Sequence, residues 1–287
     1  MFESWNRSWE MITQSYAVLK RQKTLVLFPL CSGIACFLVF LSFLTPVVAF
    51  PEVFGRGARQ AADPEARKWL LMLGGFLFYL INYFIIIFFN AALCACAVLH
   101  FKGVEPTLGD GLAAASRRLP QIAGWALVAA TVGIILRSIQ ERSEWVGKLV
   151  IGLIGLAWTV VTYLVVPILA IEGLSPIDAL KRSSTLMRRT WGEGITGGIT
   201  FGLIGFLIML PGFLLFAGGI FLIMSAGVYA PVLLVLAVVY LITAAIILST
   251  LKQIYLSGLY LYAAEGQMPA GFTPEMVQGA FKHGKSK

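Results

Sequence analysis

Asn82 and Asn90 are the residues best placed to do chemistry, because each sits inside a long apolar run. Eight residues separate them, so on a helix they fall within about 80° of each other. Other polar groups in such runs are few: Thr131, Arg137, Thr159, Thr162, and Lys252 with Gln253. Polar side chains are costly in hydrocarbon and turn toward a partner helix or a cavity. Interhelical hydrogen bonding is expected of the Asn and Thr side chains, and snorkelling of Arg137 and Lys252. A polar cavity is the alternative.

Catalysis requires an acid–base pair, an activated nucleophile or a metal within hydrogen-bond reach. No carboxylate pair lies inside an apolar run, and HExxH, Gly-x-Ser-x-Gly and Walker sequences are missing. Ser257 beside Gly258 has no histidine to activate it. Cys31, Cys36, Cys94 and Cys96 all fall in apolar runs, and Cys94 and Cys96 point to different sides of a helix. His100 and His283 lie outside the runs. The cysteines read as small packing residues, so no catalytic residue, metal site or cofactor is expected.

The elements carrying these residues are apolar stretches: Leu25–Phe50, Leu70–Leu99, Leu119–Leu136, Leu149–Ile171, Ile195–Phe216 and Val232–Leu251. About 20 apolar residues cross a hydrocarbon core of about 30 Å as a helix. The runs are continuous rather than alternating, which favours helices over a barrel. The chain is 59% hydrophobic and 13% charged over 287 residues, which leaves no segment for a separate soluble domain. Its net charge of +8 sits at the ends of the runs, where anionic headgroups rather than nucleic acid would meet it.

Lysine and arginine are counted between spans to give orientation. Fifteen fall before span one, between two and three, between four and five, and after six; seven fall on the other side. Both termini are therefore expected in the cytoplasm. Twenty-four residues precede the first run, too many for an ordinary signal peptide, so span one should persist.

The cytoplasmic segments are patterned. Phe2, Trp5, Trp9, Ile12, Tyr16 and Leu19 share a helical face, followed by Lys20, Arg21 and Lys23. Leu108, Leu112, Ala115 and Leu119 form a second stripe, ending at Arg117 and Arg118. Ile177, Leu180, Ser184, Met187 and Trp191 form a third, flanked by Lys181, Arg182, Arg188 and Arg189. Asp110-x-Leu112-x3-Ser116 matches Asp178-x-Leu180-x3-Ser184, each shortly after Pro106 or Pro176. The expected fold is all-α: a polytopic membrane protein of six transmembrane helices, as three repeats of an interfacial amphipathic elbow (2–19, 107–119, 177–191) plus a transmembrane hairpin. Thr273-Pro274-Glu275 opens a C-terminal cap helix over 274–281. Gly194, Gly198, Gly202 and Gly205 should let span five approach a neighbour closely. Pro211-Gly212 should kink it, and Gly218 to Pro231 reads as a re-entrant segment or a tight outer turn.

Several motifs carry a resemblance. They include Phe88-Phe89-Asn90-Ala91-Ala92-Leu93, Gly103-x2-Pro106-Thr107, Trp125-Ala126-Leu127, Glu172-Gly173, Ala179-Leu180-Lys181-Arg182-Ser183, Thr190-Trp191-Gly192-Glu193 and Gly271-Phe272-Thr273-Pro274. Together they resemble, along the whole length, an uncharacterised bacterial family of six-helix membrane proteins described only as a domain of unknown function. The elbow pattern alone is similar to the membrane anchor of some glycerophosphodiester phosphodiesterases, whose catalytic domain is missing here. The first resemblance implies a fold and a bacterial cytoplasmic membrane, and no activity.

Three functions fit. One is a structural or accessory subunit, binding inner-leaflet lipid and another membrane protein or a second copy of itself. Another is a small-solute or lipid transporter with Asn82 and Asn90 along its path. The third is a lipid-acting enzyme. The missing buried carboxylates count against ion-coupled transport, and the crowded glycines favour packing, which points to the first.

Overall fold

The computed structural model describes residues 13–49, 64–142, 145–189, 191–224 and 229–266. The first part of the first elbow and the 274–281 cap lie outside the described residues. Helix α1 covers 13–21, and a 3-10 turn, Lys23–Val26, leads into α2, Leu27–Ala49. There follow α3 (Pro64–Phe101), α4 (Leu108–Ser116), α5 (Leu119–Arg142), α6 (Trp145–Val161), α7 (Val165–Ile171), α8 (Pro176–Arg189), α9 (Trp191–Met224) and α10 (Ala230–Glu265). Among the described residues, six helical segments are long and apolar enough to cross a membrane. The protein is an all-α polytopic membrane protein, and its element order repeats a short helix followed by a long hairpin.

The second helix of each hairpin ends on a left-handed glycine: Gly103 (φ 82°), Gly173 (φ 66°) and Gly266 (φ 65°). Glycine suits this position because it has no Cβ to clash there. Each glycine N–H bonds back into the helix it ends, to His100, Ile168 and Tyr262 respectively.

Two compact units divide the described residues: those of Met1–Leu27, Cys96–Leu108 and Ser184–Lys287, and those of Phe28–Ala95 and Gly109–Ser183. In the first, α9 and α10 form an antiparallel hairpin with a seven-residue seam. A Cβ on Gly205 would meet Leu248, one on Gly212 would meet Leu241, and one on Gly219 would meet Leu234. Both sides step by seven residues, the spacing that keeps one seam facing a partner helix. Beside it, Tyr240 donates its hydroxyl to the Ile208 carbonyl at 2.7 Å. This lies near Pro211, which lacks an N–H for the Leu207 carbonyl.

Of the expected glycine stripe, Gly205 faces a neighbour, a Cβ on Gly202 would meet nothing within 4 Å, and the surroundings of Gly194 and Gly198 lie outside the described residues; the close approach continues through Gly212 and Gly219. The 218–231 stretch is no separate re-entrant segment: α9 continues to Met224, and α10 begins at Ala230. Helix α10 also continues past the expected end at Leu251 to Glu265, with Ile254, Tyr255, Leu259, Tyr260 and Leu261 buried. Lys102 Nζ reaches Glu265 Oε1 at 3.0 Å near this end.

In the second unit, α2 meets α3 through edge-on contacts of Phe40 and Phe43 with Phe78, at 6.5 and 5.3 Å between ring centroids. Helix α5 meets α6 through Trp125 stacked on Trp158, 5.9 Å apart and 18° from parallel. More than half of the span-two window is buried, 56% against 28% or less for any other. Its run 91–98 is buried at every position because small residues (Ala91, Ala92, Cys94, Ala95, Cys96, Ala97) dominate it.

The elbow stripes coincide with the buried face only in part: Leu19, Ala115 and Met187 are buried, and other stripe positions are exposed. On α8 the buried positions are Ala179, Ser183, Leu186 and Met187, while Ile177 is exposed. On α4 they are Gly111 and Ala115, while Leu112 and the following Leu119 are exposed. On α1, Ser15, Val18 and Leu19 are buried and Tyr16 is exposed. Hydrophobicity does not single out the packed face here, because large apolar residues are equally at home against lipid and small residues permit close approach.

Candidate functional site

Span four is broken, and the break builds the most elaborate polar site of the second unit. Helix α6 stops at Val161 and α7 resumes at Val165. Pro167 carries no N–H and cannot close the helical bond to Tyr163. The chain tightens instead through Tyr163 N–H to Val160 O (3.3 Å) and Val165 N–H to Thr162 O (3.1 Å). This leaves the Leu164 N–H, which a helix would pair with Val160, in need of an acceptor. Ser183 Oγ on α8 provides it at 3.2 Å, and both residues are fully buried.

Helix α8 is itself fixed by a cap. Ser175 Oγ accepts the Asp178 N–H at 3.3 Å and donates to Asp178 Oδ2 at 2.7 Å, with Pro176 as first helical residue. Against this turn packs Gly124 of α5, where a Cβ would come within 3.0 Å of Pro176 Cγ.

Between these elements lies a basic cluster. Glu172 Oε1 accepts from Arg182 Nε at 3.3 Å, and both side chains are half-buried. Next along the chain, left-handed Gly173 has the Arg118 guanidinium laid against it, in the space a side chain would fill. Arg118 is half-buried, and its side chain forms no ion pair or hydrogen bond among the described residues. Lys181 pairs with Asp178 at 3.7 Å on the exposed face, a contact of little energetic weight. In the same unit, Gln121 Oε1 and Tyr163 OH are buried without hydrogen-bond partners among the described residues, and ordered water is the usual occupant beside such atoms.

The other candidate positions do not converge. Asn82 Nδ2 donates to Phe78 O of its own helix at 2.8 Å, and Cys36 Sγ approaches the Asn82 backbone carbonyl at 3.9 Å. Asn90 is half-buried. Thr131 and Thr159 donate to Leu127 and Gly155, each within its own helix, and Thr162, just past the end of α6, donates to Thr159. Among the described residues, the interhelical bonds expected of Asn82 and these threonines are not formed; back-bonding to the preceding turn meets their needs locally. Lys252 is exposed while Gln253 is buried, its Nε2 without a partner. Lys20, Arg21, Lys23, Arg117 and Arg188 are exposed, and the Arg189 side chain lies outside the described residues. Among the described residues, no group of three or more His, Cys, Asp or Glu is placed to hold a metal ion.

A groove of about 470 Å³ opens between α2 and α3 at Phe43, Pro46, Leu70, Gly74, Gly75 and Phe78. It is apolar; its one hydroxyl, Ser42, donates to Val39 O of its own helix.

Sequence reasoning missed the Arg118–Gly173 contact, the Glu172–Arg182 pair, and the roles of Ser175 and Ser183. Two local signals were legible: Gly173 after a hydrophobic run, and Ser175-Pro176-x-Asp178 ahead of a helix.

The profile of a family of unknown function (DUF6159) matches residues 70–272. The match begins within α3, so it is narrower than the full-length resemblance read from the motifs. No curated protein and no solved structure matches the chain, and the looser likeness to the glycerophosphodiester phosphodiesterase anchor finds no support.

Proposed function

The chain belongs to the DUF6159 family of unknown function, and we propose that it is a non-enzymatic structural or accessory subunit. It holds anionic inner-leaflet lipid at its basic elbows and presents lipid-facing helix surfaces to another membrane protein or a second copy. Its setting is a bacterial cytoplasmic membrane, with both termini in the cytoplasm. The observation that carries this reading is the division of polar groups. Within the spans, Asn82, Thr131, Thr159 and Thr243 bond to their own helices and leave no convergent lining. Where span three begins and span four ends, by contrast, Arg118, Glu172 and Arg182 gather around one bend.

Affinity purification of the full chain from native membrane in mild detergent tests the reading. A membrane protein or a second copy in fixed ratio, with anionic phospholipid enriched over bulk membrane, is expected. A single copy carrying lipid of bulk composition contradicts it.

A further inference from the structure

We propose that Arg118 and Arg182 form a seat for the phosphate of a membrane phospholipid, at the bend between α7 and α8. The proposal rests on the lipid-binding half of the reading above and gives it one address. Within the cluster, Glu172 meets Arg182 through Nε at 3.3 Å. The Arg118 guanidinium is in no ion pair among the described residues, so no neighbouring carboxylate there neutralises its charge. Arg118 is held, not free to wave in solvent: its guanidinium lies on the backbone of Gly173, where the left-handed turn and the missing Cβ make the room. A planar, half-buried guanidinium with unused donors suits a phosphate oxygen, which can accept two N–H groups side by side. The cluster stands where α5 begins and α7 ends, at the end of the membrane-crossing segments, the depth of lipid phosphates. Exposed Leu112 and Leu119 flank Arg118 along the chain and offer apolar surface to the acyl chains of the same lipid.

Native mass spectrometry of the full chain in a mild detergent tests the seat, using phosphatidylglycerol, phosphatidylcholine and inorganic phosphate as probes. Wild type should retain phosphatidylglycerol over phosphatidylcholine, and millimolar inorganic phosphate should not displace it. Arg118→Gln should weaken retention about tenfold, the loss of one charge-assisted hydrogen bond. Arg117→Gln, its exposed neighbour, should weaken it about twofold or less, as for a screened surface charge. Glu172→Gln, which releases Arg182, should strengthen it and decides the matter if Arg118→Gln fails to fold; unchanged retention there overturns the seat. Equal losses in Arg118→Gln and Arg117→Gln overturn the seat while leaving lipid binding intact. No preference in wild type for the anionic lipid removes the lipid-binding reading itself. Displacement by inorganic phosphate assigns the site to a free anion and overturns the lipid assignment.

Discussion

At the scale of single residues, the broken span shows how one hydroxyl sustains an irregular backbone in an apolar setting. An unpaired N–H buried in such surroundings costs about 1–3 kcal/mol, and Ser183 Oγ meets the one at Leu164. Ser183→Ala should therefore lower the melting temperature in detergent by an amount matching about 1–3 kcal/mol. Thr131→Val is the control: its hydroxyl bonds only to Leu127 in its own helix, and its melting temperature should stay near wild type. Tyr163→Phe removes a buried hydroxyl without a protein partner, so it should leave stability unchanged or raise it, read in the same melting experiment. The sequence marks Ser184 rather than Ser183 as part of the packed stripe. One residue turns a helix by about 100°, enough to carry a side chain from a packed face to its edge. The Arg118–Gly173 contact was illegible for another reason. It joins residues 55 positions apart (118 and 173) through a backbone conformation that a glycine permits and does not announce.

At the scale of elements, the spans were legible and their interruptions were not. Continuous apolarity reveals six crossings, because length and composition alone decide whether a helix can span lipid. It does not reveal the stop at Val161, which depends on Pro167 and on an acceptor brought from another helix. The glycines of span five illustrate the same limit. The expected stripe ends at Gly205, and it is from Gly205 onward, through Gly212 and Gly219, that the hairpin closes, opposite Leu248, Leu241 and Leu234, while Gly202 meets open space. Gly212→Val should force Leu241 and Tyr240 aside and destabilise the hairpin by about 1–3 kcal/mol, the usual cost of overpacking. Gly202→Ala meets open space and replaces a poor helix former, so it should be neutral or mildly stabilising. Thermal unfolding of the two variants side by side checks the seam, and equal effects would place the helix contact elsewhere.

At the scale of the whole molecule, the lysine and arginine distribution and the local bonding of the polar groups among the described spans support one reading. The proposal that both termini lie in the cytoplasm rests on fifteen basic residues on one side against seven on the other, read by the positive-inside rule. A cysteine introduced at Gly57, within the opposite group of loops, should accept an impermeant thiol reagent only from outside; labelling only from the cytoplasmic side would invert the topology. The repeat itself was visible in sequence as matched Asp, Leu and Ser spacings, and the structure adds a left-handed glycine at the end of each hairpin. What the pattern did not carry was how the polar groups inside the spans are used, since back-bonding and channel lining call on the same residue types. The central claim is that this bundle binds and does not conduct. Reconstitution of the full chain into liposomes, with flux measured for small ions, neutral solutes and fluorescent phospholipids, tests it most directly. The account predicts flux no greater than in protein-free liposomes, for wild type and for Asn82→Leu and Asn90→Leu alike. Flux in wild type that either substitution abolishes would contradict it and establish a pathway along α3.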